Sequence, residues 1–243
     1  MLREPTKRFF TSMNKGRVVA ILLSAFTLVM PCTAQAPAAP APRFVVVLDA
    51  AHGGDDMGGR LSDGQMEKSV TLALSVKLRS ILNARGIAVV TTREADAAMD
   101  TDRRAGIANH VKAAACLSLH ATEAGAGLHL FTSSLTPVTG THFMAWKTAQ
   151  AGSVTRSLAL AGALNSALLG AGMKVTLGRT ALAGVDSMTC PAVAIELAPE
   201  RGTDGKVTAE PTDPDYQARV AATLASALLA WRSDGQQTGA RLP

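Results

Sequence analysis

Short apolar runs alternate with amphipathic segments along most of the chain. Runs such as 44–48 and 115–119 are almost entirely apolar, which is typical of strands buried on both faces of a sheet. Between them, apolar residues at helical spacing predict helices, as in the stripe from Val70 to Leu82 that precedes Gly86. The whole pattern predicts strands over 44–48, 87–92, 115–120, 128–132, 175–178 and 191–197, and helices over 69–85, 101–112, 153–169 and 216–231.

The alternation of strands and helices predicts the fold class. Strands joined through single helices by short links favour a parallel sheet with right-handed crossovers. A chain of 243 residues with 47% hydrophobic residues is long enough for one domain with a sizeable core. We therefore expect a single α/β domain, in which a twisted, mostly parallel sheet carries helices on both faces.

The first 43 residues differ in composition from the rest. Residues 1–36 have a basic start, an apolar stretch over 18–30 and small residues before Ala36, as in a cleaved export signal. The stretch is shorter than the roughly 20 apolar residues of a spanning helix, so we expect no stable membrane anchor. An Ala/Pro linker over 37–43, one folded domain over 44–233 and a polar tail over 234–243 complete the predicted organisation. An exported protein of this kind would be periplasmic or associated with the cell wall.

The positive charge of the chain belongs mostly to its start. Five of the 24 basic residues but only one of the 19 acidic residues lie in 1–36, so the rest of the chain is nearly neutral. Aromatic residues make up 4% of the sequence. Because nucleic-acid binding needs a basic surface and single-strand binding uses aromatic stacking, we expect no nucleic-acid partner.

Two of the predicted strands end next to a histidine, His52 and His120. Side chains at the carboxyl ends of neighbouring strands meet at one edge of a sheet. Glu67 follows a glycine-rich loop and could add a carboxylate to the two imidazoles, a donor set typical of catalytic zinc. Each residue also has an ordinary interpretation, since strand-end histidines are usually structural and an acid at a helix start complements the helix dipole.

Other polar residues lie close to these positions in the sequence. Glu196 ends an apolar run, and an acid in such a run needs a partner or a function. Asp49 and Asp56 are candidates either for hydrogen bonds within their loop or for contact with a metal-bound imidazole, and we expect that contact for Asp49. For Arg93 and Arg104 we expect ion pairs. The histidines at 110, 129 and 142 match no ligand position, so we expect surface or structural roles for them.

The order of these motifs resembles the zinc-dependent N-acetylmuramoyl-L-alanine amidases, which cut bacterial peptidoglycan. The resemblance runs from Phe44 to Trp231. It departs from the family at Ala51, where the family usually has Gly, and at Thr122, where it often has Asp or Asn. It also departs over 197–199, where the family usually continues with Gly-Phe. It rests on Leu48-Asp49-x-x-His52-Gly53-Gly54-x-Asp56-x-Gly58, Glu67-Lys68, Thr92-Arg93, Arg104, Ala108-Asn109, Ser118-Leu119-His120-Ala121 and Pro191-Ala192-Val193 leading to Glu196.

This resemblance implies a set of roles. His52, Glu67 and His120 would ligate Zn²⁺, and Glu196 would act as the catalytic acid and base. The reaction would hydrolyse the amide between N-acetylmuramic acid and L-alanine of peptidoglycan, the expected substrate. Two alternatives stay open: a non-catalytic peptidoglycan-binding regulator with the same fold, and a zinc peptidase that cuts within the stem peptide.

Two further expectations concern the cysteines and one segment. Cys116 lies in an apolar strand, so we expect a buried free thiol, although export would permit a disulfide with Cys190. The segment 133–152 lacks a clear helical period, which argues against a long plugging helix. We therefore expect an open groove that needs no activator protein, with Phe143 and Trp146 as packing residues.

Overall fold

A computed structural model describes residues 44–139 and 145–239 of the chain. The described residues form the strands β1 Val45–Ala50, β2 Ala88–Thr91, β3 Ala115–Ala121, β4 Leu128–Ser133, β5 Val175–Thr180, β6 Ala192–Leu197, β7 Glu200–Arg201 and β8 Val207–Ala209. They also form the helices α1 Glu67–Ala84, α2 Thr101–His110, α3 Val154–Gly170 and α4 Pro214–Gly239, with 3-10 segments at Trp146–Gly152 and Val185–Ser187.

Six of these strands form one sheet in the order β2-β1-β3-β6-β4-β5, and β7 and β8 form a separate hairpin. Strands β2, β1, β3 and β6 are mutually parallel, whereas β4 runs antiparallel to β6 and parallel to β5. The expected mostly parallel α/β sheet is confirmed. The reversal at β4 follows from the short link between β3 and β4, which contains no crossover helix and therefore cannot return the chain for a parallel strand.

Helices cover both faces of the sheet, as predicted. On one face, α1, α3 and α4 bury a large core that includes Leu74, Leu164 and Leu224. On the other face, α2 and the Val185–Ser187 segment pack on a smaller cluster around Val47. Because strand side chains alternate between faces, this second face also receives the polar residues near the strand ends. These residues are Asp49, Ser118, His120 and Glu196.

Most predicted elements lie within a few residues of the observed ones. Helix α1 begins at Glu67, two residues before the predicted start, and its stripe from Val70 to Leu82 is buried as expected. Helix α4 continues to Gly239, so the segment predicted as a polar tail is helical over part of its length. The expected signal peptide and linker lie outside the described residues. Within 44–139 and 145–239, no helix combines the length and the apolar character needed to cross a bilayer.

The expectation of a free thiol at Cys116 is wrong, because Cys116 and Cys190 form a disulfide across a Cα–Cα distance of 6.2 Å. The reason lies in the sheet. Cys116 is in register with Ala192 on the neighbouring strand β6, so Cys190 enters that strand beside it. The bridge ties the beginnings of β3 and β6, at the edge of the sheet opposite the ends that carry His120 and Glu196.

Candidate metal centre

The three predicted ligands converge at the carboxyl ends of β1 and β3. His52 follows β1, His120 lies near the end of β3, and Glu67 is the first residue of α1. Nε2 of His52 lies 3.1 Å from Oε2 of Glu67, and Nδ1 of His120 lies 3.0 Å from Oε1 of the same carboxylate. One donor atom from each residue can be chosen so that all lie within 4.8 Å of one another. The arrangement can therefore hold one metal ion.

The turn after β1 places His52 by an unusual backbone conformation. His52 has φ 62°, in the left-handed region that non-glycine residues seldom adopt. The Arg104 guanidinium holds this turn by donating to the carbonyl oxygen of His52 at 2.7 Å. Gly58 faces the same site with φ +65°, and a Cβ there would lie 2.6 Å from Cδ2 of His52 and 2.7 Å from Oε2 of Glu67. Only glycine fits at that position.

Glu67 is buried, and four nitrogen atoms lie within 3.1 Å of its carboxylate. Besides the two imidazoles, the backbone amides of Gly59 and Ala121 donate to it at 2.9 and 3.1 Å. Burial alone would raise the pKa of the Glu67 carboxyl, but these hydrogen bonds outweigh it and hold that pKa well below its ordinary value. The hydrogen bond to Glu67 in turn raises the pKa of His52, against the opposing effect of burial. The Glu67 carboxylate is thus ionised at neutral pH, as a metal ligand would need to be.

A second carboxylate orients His52. Both carboxylate oxygens of Asp56 lie 2.9 Å from Nδ1 of His52, on the side of the ring away from Glu67. When Nδ1 donates its proton to Asp56, a neutral His52 ring has its lone pair on Nε2, the nitrogen that faces Glu67 and could bind a metal in place of that contact. Of the two aspartates considered from sequence, Asp56 is the one that contacts the imidazole of a predicted ligand.

Asp49 makes no direct hydrogen bond to either of the histidines predicted as ligands. Its buried carboxylate accepts hydrogen bonds from Thr92 and Arg104 at 2.8 Å and from Ser118 at 2.9 Å. Asp49 reaches His120 only through Ser118, whose hydroxyl oxygen lies 3.4 Å from Nε2 of that histidine. Asp49 lies on the α2 face of the sheet, where Arg104 is the nearest charge, so the aspartate pairs with the arginine.

The two buried arginines differ. The predicted ion pair of Arg104 is confirmed, with Asp49 as its partner at 2.8 Å. For Arg93 the prediction is wrong: its guanidinium donates to the carbonyl oxygens of Ala50 and Ala51, among others, and to the hydroxyl of Thr71. Arg93 lies against the end of β1, where the backbone carbonyls of Ala50 and Ala51 are available as acceptors for its guanidinium. Together the arginines fix the backbone that leads into His52.

Glu196 lies one strand away from the three donors. It is the register partner of His120 on β6, and its side chain is 33% exposed. On the other side, His129 of β4 is in register with Glu196, and its Nδ1 lies 2.9 Å from Oε2 of the carboxylate. His120, Glu196 and His129 thus form one row across β3, β6 and β4. Sequence reasoning gave His129 no functional part, because its position beside Glu196 depends on the reversal of β4.

The remaining sequence predictions give a mixed result. His110 is exposed at the end of α2, which agrees with a surface role, and His142 lies outside the described residues. Trp146 is 45% exposed, so the prediction that it is a packing residue is wrong. The 3-10 segment that begins at Trp146 buries Gln150 instead. Phe143 lies outside the described residues. The neighbouring Lys147 forms an ion pair with Asp102 at the start of α2.

The donor chemistry fits a divalent metal. Two imidazole nitrogens and one carboxylate oxygen are a common protein contribution to a catalytic zinc site with an open position. The side chains of His52 and His120 are 23% and 35% exposed, so the site faces solvent on one side while Glu67 is buried beneath it. A molecule from solution could therefore reach the metal position on that exposed side.

The family assignment follows from comparison of the whole domain. The family described as N-acetylmuramoyl-L-alanine amidase (Amidase_3) matches residues 46–230, from β1 into α4. The chain belongs to this amidase family.

Curated amidases match the chain over part of its length. AmiA from Escherichia coli K12 is 42% identical over 77 residues, which are 32% of this chain and 27% of that protein. The germination-specific amidase from Bacillus subtilis 168 is 32% identical over 90 residues, 31% of this chain and 38% of that protein. The chain thus spans between 27% and 38% of the curated relatives it matches.

Solved structures show that the amidase fold extends over the whole described domain. The catalytic domain of the amidase CwlV from Bacillus (Paenibacillus) polymyxa var. colistinus is 25% identical with a TM-score of 0.62, and the match covers 78% of this chain and 98% of that one. The amidase CwlD from Clostridioides difficile, solved in complex with the GerS lipoprotein, is 21% identical with a TM-score of 0.59. This match covers 79% of the present chain and 99% of CwlD.

Proposed function

We propose that the chain hydrolyses the amide bond between N-acetylmuramic acid and L-alanine in peptidoglycan, with zinc as its metal. The observation that carries this proposal is the convergence of His52, Glu67 and His120 on the same sheet edge and face as Glu196. Membership of the amidase family supports the bond that is cut. The imidazole and carboxylate donors, and a reaction without redox chemistry, favour zinc.

His52, Glu67 and His120 would hold the ion through Nε2, the carboxylate and Nδ1. A zinc ion bound there supplies Lewis acidity, which polarises the scissile carbonyl and makes a water molecule acidic enough to attack near neutral pH. Asp56 keeps the His52 ring in the orientation that binding requires. Gly58 leaves the space in which the His52 ring and the Glu67 carboxylate lie side by side.

Glu196 is the group that moves protons. It would accept a proton from the attacking water as the new C–O bond forms, and deliver it to the nitrogen of L-alanine as the C–N bond breaks. The products are a free lactyl carboxylate on the sugar and a stem peptide with a free amino terminus. Because Glu196 lies on the strand adjacent to His120 and is one-third exposed, both the water and the leaving amine can reach it.

Digestion of purified sacculi with the exported protein, followed by mass spectrometry of the soluble products, tests the proposal. We expect free stem peptides that begin with L-alanine. Shortened stems would indicate a peptidase, and unchanged muropeptides would indicate a binding protein, so either result contradicts the proposal.

A variant of Glu196 tests the assigned role. Glu196→Ala should lower turnover by at least about a hundredfold, as expected for loss of a general acid and base, while zinc content stays at the wild-type level. Near-normal turnover in this variant would remove Glu196 from the mechanism without affecting the assignment of the metal ligands.

The substrate and residues 1–36 support a location outside the cytoplasm. Peptidoglycan lies beyond the inner membrane, and a cleaved signal at the start of the chain would deliver the domain there. We propose a periplasmic or cell-wall-associated enzyme that acts without an activator. The CwlD relative was solved with a lipoprotein partner, so the need for a partner has to be tested for this chain directly.

A further inference from the structure

We propose that His129 is a positioning residue for Glu196, holding one oxygen of its carboxylate so that the other is directed towards the reacting water. This inference rests on the proposed function and assigns part of the site to β4, beyond the three donors and the acid. Nδ1 of His129 lies 2.9 Å from Oε2 of Glu196.

The position of His129 is set by the backbone of the sheet. β4 and β6 are antiparallel, and His129 and Glu196 are direct partners in their register. Directly opposite residues in an antiparallel pair have side chains on the same face and close together. The contact therefore follows from backbone pairing and does not depend on a flexible loop.

The imidazole is also packed in place. Gly125 has φ +82°, and a Cβ there would lie 2.5 Å from Cε1 and 2.6 Å from Nε2 of His129. The Phe131 ring meets the imidazole edge-on, with ring centroids 6.3 Å apart and an interplanar angle of 75°. The His129 side chain is 16% exposed, half the exposed fraction of Glu196. A ring confined in this way can hold a more mobile partner.

The long side chain of Glu196 needs a hydrogen-bonding partner to hold it in one conformation. A glutamate side chain has three rotatable bonds, and a partly exposed one samples several rotamers. A base that transfers a proton must stay within hydrogen-bond reach of it, and small misplacements of catalytic groups cost large factors in rate. The His129 hydrogen bond fixes Oε2 and leaves Oε1 as the oxygen that can face the water.

A purely structural role makes a different prediction. If His129 only fills space between β4 and the loop at Gly125, an apolar residue of similar shape should replace it without loss of turnover. If the hydrogen bond matters, a replacement must keep an N–H donor near the position of Nδ1. Asn and Leu have nearly the same branched shape, and only Asn carries that donor.

The experiment compares His129→Asn with His129→Leu, and uses His110→Ala, at the exposed end of α2, as the control. The measurements are kcat and KM on a soluble muropeptide, zinc content and melting temperature. We expect His129→Leu to lose about tenfold to a hundredfold in kcat with unchanged KM and zinc content. His129→Asn should recover most of the wild-type kcat, and His110→Ala should match the wild type.

Equal kcat for the Asn and Leu variants, with an active wild type, would overturn the positioning role alone. A wild type that releases no stem peptide would overturn the proposed function and this inference with it. If the Leu variant does not fold, ¹⁵N NMR of otherwise unaltered protein decides: Glu196→Gln must shift the Nδ1 resonance of His129. An unchanged resonance overturns the inference.

Discussion

The carboxylate of Asp56 lies 2.9 Å from Nδ1 of His52, four residues earlier in the same loop. This contact fixes which nitrogen of His52 is free to bind a metal, because a proton shared with Asp56 occupies the other one. Hydrogen bonds of this kind orient metal-binding histidines and strengthen them as ligands. The loop after β1 thus provides both a predicted ligand and the group that orients it.

Removal of the Asp56 carboxylate should therefore weaken metal binding. We expect Asp56→Ala to raise the zinc dissociation constant by about 10- to 100-fold, the usual cost of losing such a contact. Competition with a coloured chelator measures the constant. Asp55→Ala is the matched control, since its side chain is exposed in the same loop. Equal affinities for the two variants would contradict the orienting role.

Removal of the metal should abolish activity reversibly. The protein should contain about one zinc ion per chain, lose sacculus hydrolysis on treatment with a chelator and regain it when zinc is added. Elemental analysis and a turbidity assay measure the two quantities. Glu67→Gln should not retain the ion, because an amide lacks the charge of the ligand. Undiminished activity in metal-free protein would falsify the metal site.

Loss of the disulfide should destabilise the fold and leave the chemistry intact. The bridge closes a loop of 74 residues, and disulfides commonly contribute about 2–4 kcal/mol by restricting the unfolded chain. A Cys116→Ala, Cys190→Ala variant should show this decrease in the free energy of unfolding in urea, with unchanged kcat. Wild-type protein under reducing conditions is the control and should lose a similar amount. Equal stability of all samples would show that the bridge contributes nothing.

The segment between β4 and α3 should not act as a plug. The protein alone should clear a suspension of sacculi, and replacing residues 136–145 by a short glycine linker should not accelerate this clearing. This replacement keeps Gln150, whose buried amide donates to the carbonyls of Val185, Met188 and Cys190. If the intact protein is inert and the shortened one is active, the segment is a plug and the prediction is wrong.

The sequence predicts those parts of the site that depend on single elements. His52 and His120 can be recognised because each follows an apolar strand, and their meeting requires only that the strands be parallel. The departure at Thr122 is also interpretable locally, since its hydroxyl accepts from the Ala124 amide and keeps the turn that Asp or Asn would form. Ala51 in place of glycine has a negative φ, so its Cβ causes no strain.

The parts that the sequence does not predict depend on which strands are neighbours. The Cys116–Cys190 bridge, the Asp49–Arg104 pair and the contact of His129 with Glu196 each join residues at least 55 positions apart. Whether such residues meet is decided by strand order and direction. The alternation of strands and helices predicts that most strands are parallel, but it does not give their order, and it does not reveal that β6 lies between β3 and β4.

Strand order also determines when the site can exist. β3 and β4 are consecutive in the chain but are not paired, because the later strand β6 lies between them. During synthesis, the strand groups β2-β1-β3 and β4-β5 stay separate until β6 is available, because β6 is the strand that pairs with both. Strand pairings between residues far apart in the sequence also form late. Glu196 arrives with β6 and meets His120 and His129 in the same step. A partly synthesised or partly folded chain therefore lacks the assembled row of His120, Glu196 and His129, and the proposed hydrolysis would begin only when the sheet is complete.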